Sequence, residues 1–213
     1  GNTTKMALNQ YEETKDPYSG PTDPTTAGNG SIMRLAPVPL AYAKDFGVAV
    51  EKSGESSKTT HGALEAVDSC RYLGGLIAAS ATGVDKTEFL SKRYSQKPGY
   101  WTENPLCQNV DAIANGSFKE KSPPEIKGSG YVIDCLEAAL WAFYKTESFS
   151  DGCLLAVNLG DDADTTGAVY GQLAGAYYGA SGIPAEWLRA LTLQPLVESF
   201  ADRLHELSVS ISS

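Results

Sequence analysis

The chain is short of positive charge and of long hydrophobic segments. Its 213 residues contain 17 Lys and Arg against 26 Asp and Glu, and the formal net charge is -9. This balance argues against a general nucleic-acid or membrane-surface binding protein, so we expect neither partner. A local basic pocket for a phosphate group stays compatible with the charge. No apolar run approaches the ~20 residues that cross a bilayer, and no membrane span is predicted.

Cysteine and histidine are scarce as well. The four cysteines are widely spaced and form no Cys-x-x-Cys pair. We interpret them as reduced core thiols and expect a cytoplasmic protein. The two histidines, His61 and His205, form no His–Asp pair. This disfavours one alternative, an unrelated helical phosphohydrolase that would bind its metal through such pairs.

Apolar residues recur at every third or fourth position, and this spacing is typical of amphipathic helices. Three long segments show it: Leu64–Ile77, Ile133–Phe143 and Leu196–Ile211. A further helix-like stretch runs from Lys5 to Glu13. No period-two pattern with a hairpin turn is present. Stretches rich in Gly, Pro, Thr and Asn are predicted loops: 16–30 and 96–105. The sequence therefore predicts one all-α domain over residues 1–213.

A cluster of three carboxylates is the most informative feature. Asp161, Asp162 and Asp164 directly precede a helical run of small residues. Like charges this close need a positive partner, which a helix N-terminus supplies in part and a hard cation more fully. Asp162, Asp164 and the Thr165 hydroxyl would give Mg²⁺ or Mn²⁺ oxygen ligands. Alternatively, Asp164 is a plain helix cap. An EF-hand is excluded, since its twelfth position holds Leu173 instead of Glu.

The helix that follows is rich in glycine and alanine between Gly167 and Ala176. Each Gly costs up to ~1 kcal/mol of helix propensity relative to Ala. Close approach of other backbones would explain that cost. We predict a buried central helix whose N-terminal amides face a site, and simple tight packing is compatible with this reading.

Two loop segments could contact a ligand through glycine and backbone amides. The first is Gly28-Asn29-Gly30-Ser31, which we expect to open a helix that stops near Pro37 and to favour an anion. The second is Ser129-Gly130-Tyr131, which leads into the helix from Ile133 and whose Tyr131 could stack on a sugar or base. The alternatives are a glycine-rich turn in the first case and a packed tyrosine in the second.

Histidine 61 follows two threonines at the head of the helix from Leu64. Ser57, Thr59 or Thr60 could cap that helix, which would place His61 in its first turn. A cation is unfavourable there, so a neutral imidazole contacting a ligand would suit the position. A surface histidine is the alternative that the sequence alone favours. His205 is expected on the surface or at an interface.

Together these segments resemble the ADP-ribosylglycohydrolases, the family that includes the dinitrogenase-reductase-activating glycohydrolase. Residues 160–167 (GDDADTTG) are similar to the family's Asp-x-Asp-Thr/Ser metal motif. The resemblance extends from Gly1 to about Leu191. It implies metal ligation by Asp162, Asp164 and Thr165. It also implies ADP-ribose contacts at Gly28, Asn29, Gly30, Ser31, His61, Ser129, Gly130 and Tyr131.

The implied activity is hydrolysis of the glycosidic bond between ADP-ribose and a modified protein, with two Mg²⁺ or Mn²⁺ ions. One feature departs from the family: its upstream Thr-Asp-Asp motif has no match, because Thr22-Asp23 is followed by Pro24. We therefore expect an acidic catalytic residue upstream of Gly1, and completion of the site by a missing N-terminal segment or a complementing chain. The alternatives are a non-catalytic ADP-ribose-binding or structural family member, or an inactive fragment.

Overall fold

The computed structural model describes residues 1–211, and this part of the chain is helical with no β-strand. The all-α prediction is confirmed. The helices are α1 (Asn2–Thr14), α2 (Pro37–Ala41), α3 (Phe46–Lys58), α4 (Leu64–Ala81), α5 (Lys86–Phe89), α6 (Tyr100–Glu103), α7 (Gln108–Ala114), α8 (Ser117–Glu120), α9 (Val132–Lys145), α10 (Phe149–Val157), α11 (Ala163–Tyr178), α12 (Ala185–Ala190) and α13 (Gln194–Ile211). Short 3-10 turns lie at Pro24–Thr26, Ile32–Arg34 and Ala180–Gly182.

Helix α4 lies in the middle of the domain. Nearly every residue from Ala66 to Ser80 is buried, and α2, α3, α9 and α11 pack around it. Small residues permit this close packing: a Cβ at Gly74 would lie 2.7 Å from the Ser53 Cβ on α3. The predicted helix from Leu64 is thus confirmed, although Leu64 itself is exposed.

Helix α9 carries the clearest of the predicted apolar stripes. The four residues that the periodicity selects are all buried, and most other residues of α9 are buried as well: Ile133, Leu136, Leu140 and Phe143 form the predicted stripe. The Phe143 ring lies 5.8 Å from that of Phe89 and 5.6 Å from that of Tyr177. Such aromatic pairs add to the stabilisation from burial. They join α9 to α5 and to the end of α11.

Helix α11 packs against α4, α9 and α10, so one of its faces is in the core. Leu173 and Ala174 are buried, as expected of a core helix. A close approach of a neighbouring helix explains only Gly167, where a Cβ would lie 2.8 Å from Val157 Cγ1 of α10. At Gly171 and Gly175 a Cβ would meet nothing within 4 Å. The central position therefore belongs to α4, and α11 is buried on one side.

Helix α13 forms where the sequence predicts it, but none of its residues is buried. It packs on α2 and leaves Leu196, Val197 and Phe200 exposed. An apolar groove of about 710 Å³ runs between α2 and α13. His205 is exposed on this helix, as predicted. No helix of the described residues is long and apolar enough to cross a membrane.

Two local predictions are wrong, one of a helix and one of a loop. We expected a helix from Ser31 to stop near Pro37, whereas Ile32–Arg34 is a 3-10 turn and α2 begins at Pro37. Proline favours the first position of a helix, because that position has no hydrogen-bond partner for an N–H. The predicted loop 96–105 contains the single helical turn α6, whose Trp101 is buried.

Candidate active site

Two of the predicted loop segments lie side by side. Gly28 and Tyr131 form an isolated antiparallel bridge. The Asn29 amide donates to the Gly130 carbonyl at 3.1 Å, and the Val132 amide donates to the Ala27 carbonyl at 3.1 Å. Because these bonds come from the backbone, the relative position of the two loops is fixed. The structure thus brings together the segments at 28–31 and 129–131.

The start of α11 joins the same cluster. The Asp162 amide donates to the Gly128 carbonyl at 2.8 Å, and Asn29 Nδ2 donates to Asp162 Oδ2 at 2.6 Å. A Cβ at Gly128 would lie 3.0 Å from Thr166 Oγ1, which explains why glycine is required at this approach. Asn29 is buried, and its side chain links the glycine-rich loop to the Asp162 carboxylate.

The three carboxylates have different surroundings. Asp162 is the N-cap of α11, and its Oδ1 accepts from Thr165 Oγ1 at 3.1 Å. Asp164 lies exposed in the first turn of the helix, and Asp161 is exposed with a positive φ of 53°. The alternative in which Asp164 is the cap is wrong, because Asp162 holds that position. No side-chain capping bond is present at this helix start.

The donors at the head of α11 fit part of a hard cation's coordination sphere. Asp162, Asp164 and Thr165 offer carboxylate and hydroxyl oxygens, the ligand type that Mg²⁺ and Mn²⁺ take. Within residues 1–211, however, no group of three or more His, Cys, Asp and Glu side chains could hold a metal ion. The described residues can therefore contribute ligands but do not form a complete site.

His61 is buried, so the expectation of a surface histidine is wrong. The predicted cap is wrong too: Thr59 is the C-cap of α3, and the N-cap of α4 is Ala63, which makes no side-chain capping bond. His61 lies in the connection between these helices. Its Nδ1 is 2.9 Å from Thr60 Oγ1, and a Cβ at Gly30 would lie 2.8 Å from its Cε1. Its imidazole therefore supports the glycine-rich loop from behind.

The charge state of His61 follows from this position. Burial lowers the pKa of the imidazole from 6.5 to about 4, and the nearby positive charge of Arg34 acts in the same direction. Arg34 itself donates to Thr60 Oγ1 at 2.9 Å. The ring is thus neutral near pH 7, and its contact with a ligand stays a prediction.

Three residues that the sequence analysis did not select hold the loops in place. Asp134 Oδ2 accepts from Ser129 Oγ at 2.7 Å. Gln172 of α11 accepts from the Ala36 amide at 2.5 Å and donates to the Ile32 carbonyl at 3.0 Å. Met33 Sδ lies 3.9 Å from Thr165 Oγ1. Asp134 could have been found, because an acid at the third position of a helix commonly reaches back to its start.

Ser31 is the innermost of the predicted ligand contacts. It is almost completely buried, and its Oγ accepts from Ser57 Oγ at 2.8 Å. Cys70 Sγ lies 3.5 Å from the same oxygen. Ser31 therefore anchors the loop to α3 and α4, whereas Gly130 lies nearer to the carboxylates, since a Cβ there would be 3.9 Å from Asp162 Oδ2.

Comparison with known proteins places this arrangement in a family. The family model for ADP-ribosylglycohydrolase matches residues 1–212. The chain belongs to the ADP-ribosylglycohydrolase family. This match extends further than the predicted end near Leu191 and includes all of α12 and α13.

Individual ADP-ribosylglycohydrolase relatives support this assignment. The chain is 41% identical over 204 residues to ADP-ribosylarginine hydrolase Tri1 of Serratia proteamaculans, covering 96% of this chain and 53% of that protein. It is 28% identical over 197 residues to the ADP-ribosyl-[dinitrogen reductase] glycohydrolase of Rhodospirillum rubrum, covering 91% of this chain and 60% of that protein. The chain thus spans little more than half the length of these curated relatives.

A solved structure supports the fold of this family member. It is described as an ADP-ribosylglycohydrolase-related protein complex, and it superposes with a TM-score of 0.85 at 41% sequence identity. The match covers 98% of this chain and 69% of that chain. The all-helical architecture and the arrangement of the candidate loops therefore belong to a fold that this family uses.

Proposed function

We propose that this chain forms the ADP-ribose-binding part of a hydrolase that removes ADP-ribose from a modified arginine side chain of a protein. The observation that carries the proposal is the contact of Asn29 with Asp162, which joins the glycine-rich loop to the carboxylates at the start of α11. Support for arginine as the acceptor comes from the similarity to ADP-ribosylarginine hydrolases.

The loops supply binding groups of the right chemistry. Gly28 and Gly30 leave the backbone accessible, and Asn29 and the amides around it would hold ribose hydroxyls or phosphate oxygens. Tyr131 is partly exposed beside this loop, where its ring could stack on a sugar or base. The task of these groups is to orient the glycosidic bond for attack by water and to exclude other geometries.

The transition state of such a cleavage has oxocarbenium character, with positive charge developing at the anomeric carbon. Asp162, Asp164 and Thr165 would hold a divalent cation, which when bound supplies Lewis-acid polarisation of the ribose hydroxyls and of the attacking water. We propose Mg²⁺ or Mn²⁺, with two ions in the complete site.

We further propose that the catalytic acid and the remaining metal ligands come from sequence outside these 213 residues, in the same polypeptide or in a complementing chain. Two observations favour this. The chain has no Thr-Asp-Asp motif, and it spans 53% of the length of Tri1 from Serratia proteamaculans. A non-catalytic ADP-ribose-binding or structural role is the alternative, since the described residues hold no complete metal site.

Replacement of Asp164 tests the proposal in the full-length protein. Asp164→Asn should abolish release of ADP-ribose from an ADP-ribosylarginine protein, because it removes one ligand charge from the start of α11. The fold should be unchanged, since Asp164 is exposed and Asp162 holds the cap position. Asp161→Asn is the matched control, with an exposed carboxylate three residues away, and it should retain activity.

Each result of this comparison is informative. Loss of activity in Asp164→Asn alone, with melting temperatures equal to that of the wild type, supports the proposal. Full activity in Asp164→Asn would show that this carboxylate has no part in the reaction. An inactive wild-type protein that still binds ADP-ribose would instead favour the non-catalytic role.

A further inference from the structure

A second polar cluster lies at the rim of the candidate site and centres on Glu65. The Tyr131 hydroxyl donates to Glu65 Oε2 at 2.6 Å, and Asn109 Nδ2 donates to Glu65 Oε1 at 2.6 Å. Both carboxylate oxygens are therefore engaged. These contacts join residues that are far apart in sequence: Glu65 is in α4, Asn109 in α7 and Tyr131 at the start of α9.

The surroundings of Glu65 hold its carboxylate in a fixed position. Glu65 lies in the first turn of α4, where the helix dipole stabilises a negative charge. The start of this helix follows His61, whose ring lies against Gly30, by only three residues. A cavity of about 310 Å³, which Ala27, Ala63 and Glu65 help to line, lies beside it.

The Asn109 side of the cluster is held independently. Asp68, buried in α4, accepts from the Cys107 amide at 2.7 Å just before α7. Arg71 pairs with Asp68 at 2.7 Å and donates to the Asn104 carbonyl at 2.9 Å. Because a buried charge with two partners is costly to displace, the connection into α7 is anchored on α4. Asn109 therefore approaches Glu65 from a fixed support.

We propose that Glu65 is a positioning residue that fixes the Tyr131 phenol at the rim of the ADP-ribose site. The proposal rests on the proposed function, because Tyr131 gains a role only if that site binds ADP-ribose. The backbone of Tyr131 is already paired with Gly28, so the phenol is the part of the residue that Glu65 must orient. Without the carboxylate, this exposed ring would rotate and leave the site less well ordered before binding.

The state of the phenol provides a readout that does not depend on activity. Burial raises the pKa of Tyr131 to about 12, and the hydrogen bond to Glu65 and its negative charge add to this rise, as does the charge of Asp134. Removal of Glu65 should therefore lower this pKa toward the ordinary value for tyrosine. NMR of ring-labelled tyrosine, with Tyr131→Phe to assign the signal, measures it directly.

The decisive experiment is a double-mutant cycle in the full-length protein, with release of ADP-ribose from an ADP-ribosylarginine protein as the assay. Glu65→Ala and Tyr131→Phe should each raise KM by about tenfold, the loss expected for one hydrogen bond to a charged group, with kcat unchanged. The double variant should be no worse than either single one, because both remove the same contact. Glu65→Gln should restore most of the affinity, since its amide can accept from Asn109 and donate to the phenol oxygen.

A matched control is available on α12. Glu186 occupies the same second position of its helix as Glu65 does in α4, and it is exposed. Glu186→Ala should leave KM and the Tyr131 pKa unchanged. An unchanged KM in Glu65→Ala, or additive effects on KM in the double variant, would overturn the positioning role. The proposed function would still hold in that case, provided that the wild-type protein releases ADP-ribose. A wild-type protein that neither binds nor releases ADP-ribose would overturn the proposed function, and this inference with it.

Discussion

At the scale of single residues, His61 shows how the fold controls a side chain through distant partners. Its ring lies against Gly28 and Gly30, and Gly20 lies against its backbone amide, so that a Cβ at any of the three would collide with or touch His61. This burial favours the neutral imidazole, because a charged ring would lose part of its solvation. The stability of the loop cluster should therefore depend on pH.

We predict the sign of that dependence from the lowered pKa. The pKa of His61 falls from 6.5 to about 4 on folding, so between these values the unfolded chain binds more protons than the folded one. The free energy of unfolding should thus decrease as the pH falls from 6.5 toward 4. Urea unfolding at pH 7.5 and at pH 5 should show a smaller loss of stability in His61→Gln than in the wild type.

The other histidine supplies the control for this measurement. His205 is exposed on α13, and His205→Gln should keep the pH dependence of the wild type. An identical pH dependence in the wild type and His61→Gln would contradict the buried, neutral imidazole.

The position of His61 could not be predicted from the sequence around it. Three polar residues, Thr59, Thr60 and His61, follow one another and suggest an exposed helix start. Burial arises from Gly20, Gly28 and Gly30, which are 31 to 41 positions earlier in the sequence. In contrast, Asp162 and Asn29 are candidate residues from their types and sequence neighbours alone, and the structure places these two side chains in contact.

At the scale of helices, α11 offers a direct test of which glycines are required. A Cβ at Gly171 would lie in open space, whereas one at Gly167 would lie 2.8 Å from Val157 Cγ1. Gly171→Ala should therefore stabilise the isolated chain by about 0.4–1 kcal/mol through reduced freedom of the unfolded state. Gly167→Ala should not show this stabilisation, because the new Cβ would collide with Val157, whose β-branched side chain has little freedom to move aside.

Urea unfolding of both variants checks this prediction. Adding Val157→Ala to Gly167→Ala should recover stability relative to Val157→Ala alone. A stabilising effect of Gly167→Ala equal to that of Gly171→Ala would show that α10 does not approach α11 as closely as described.

The periodicity of apolar residues predicted the long helices well and their surroundings less well. In α9 the predicted stripe is buried together with most of the other residues, because α9 is enclosed by other helices. In α13 the same periodicity gives a helix with no buried residue. The pattern specifies which face of a helix is apolar, but the packing of the whole chain decides whether that face is covered. Short elements such as α2 and α6 have too few residues to show a period.

At the scale of the whole molecule, the proposed metal site is incomplete within residues 1–211. We predict that the isolated 213-residue chain binds Mg²⁺ or Mn²⁺ only weakly, because a hard cation takes six or more oxygen ligands and this site offers few. Calorimetric titration of the isolated chain should show no tight site. Micromolar affinity for two ions would contradict the proposal that essential ligands lie outside this chain.

The central claim is that the loops at 27–31 and 128–132 and the start of α11 together form an ADP-ribose site. Hydrogen–deuterium exchange of the full-length protein, with and without saturating ADP-ribose, tests it most directly. Backbone amides in these two loops and at 161–165 should exchange more slowly with ADP-ribose bound, while those in α13 should be unaffected. Unchanged exchange in both loops, or protection confined to the groove between α2 and α13, would contradict the account.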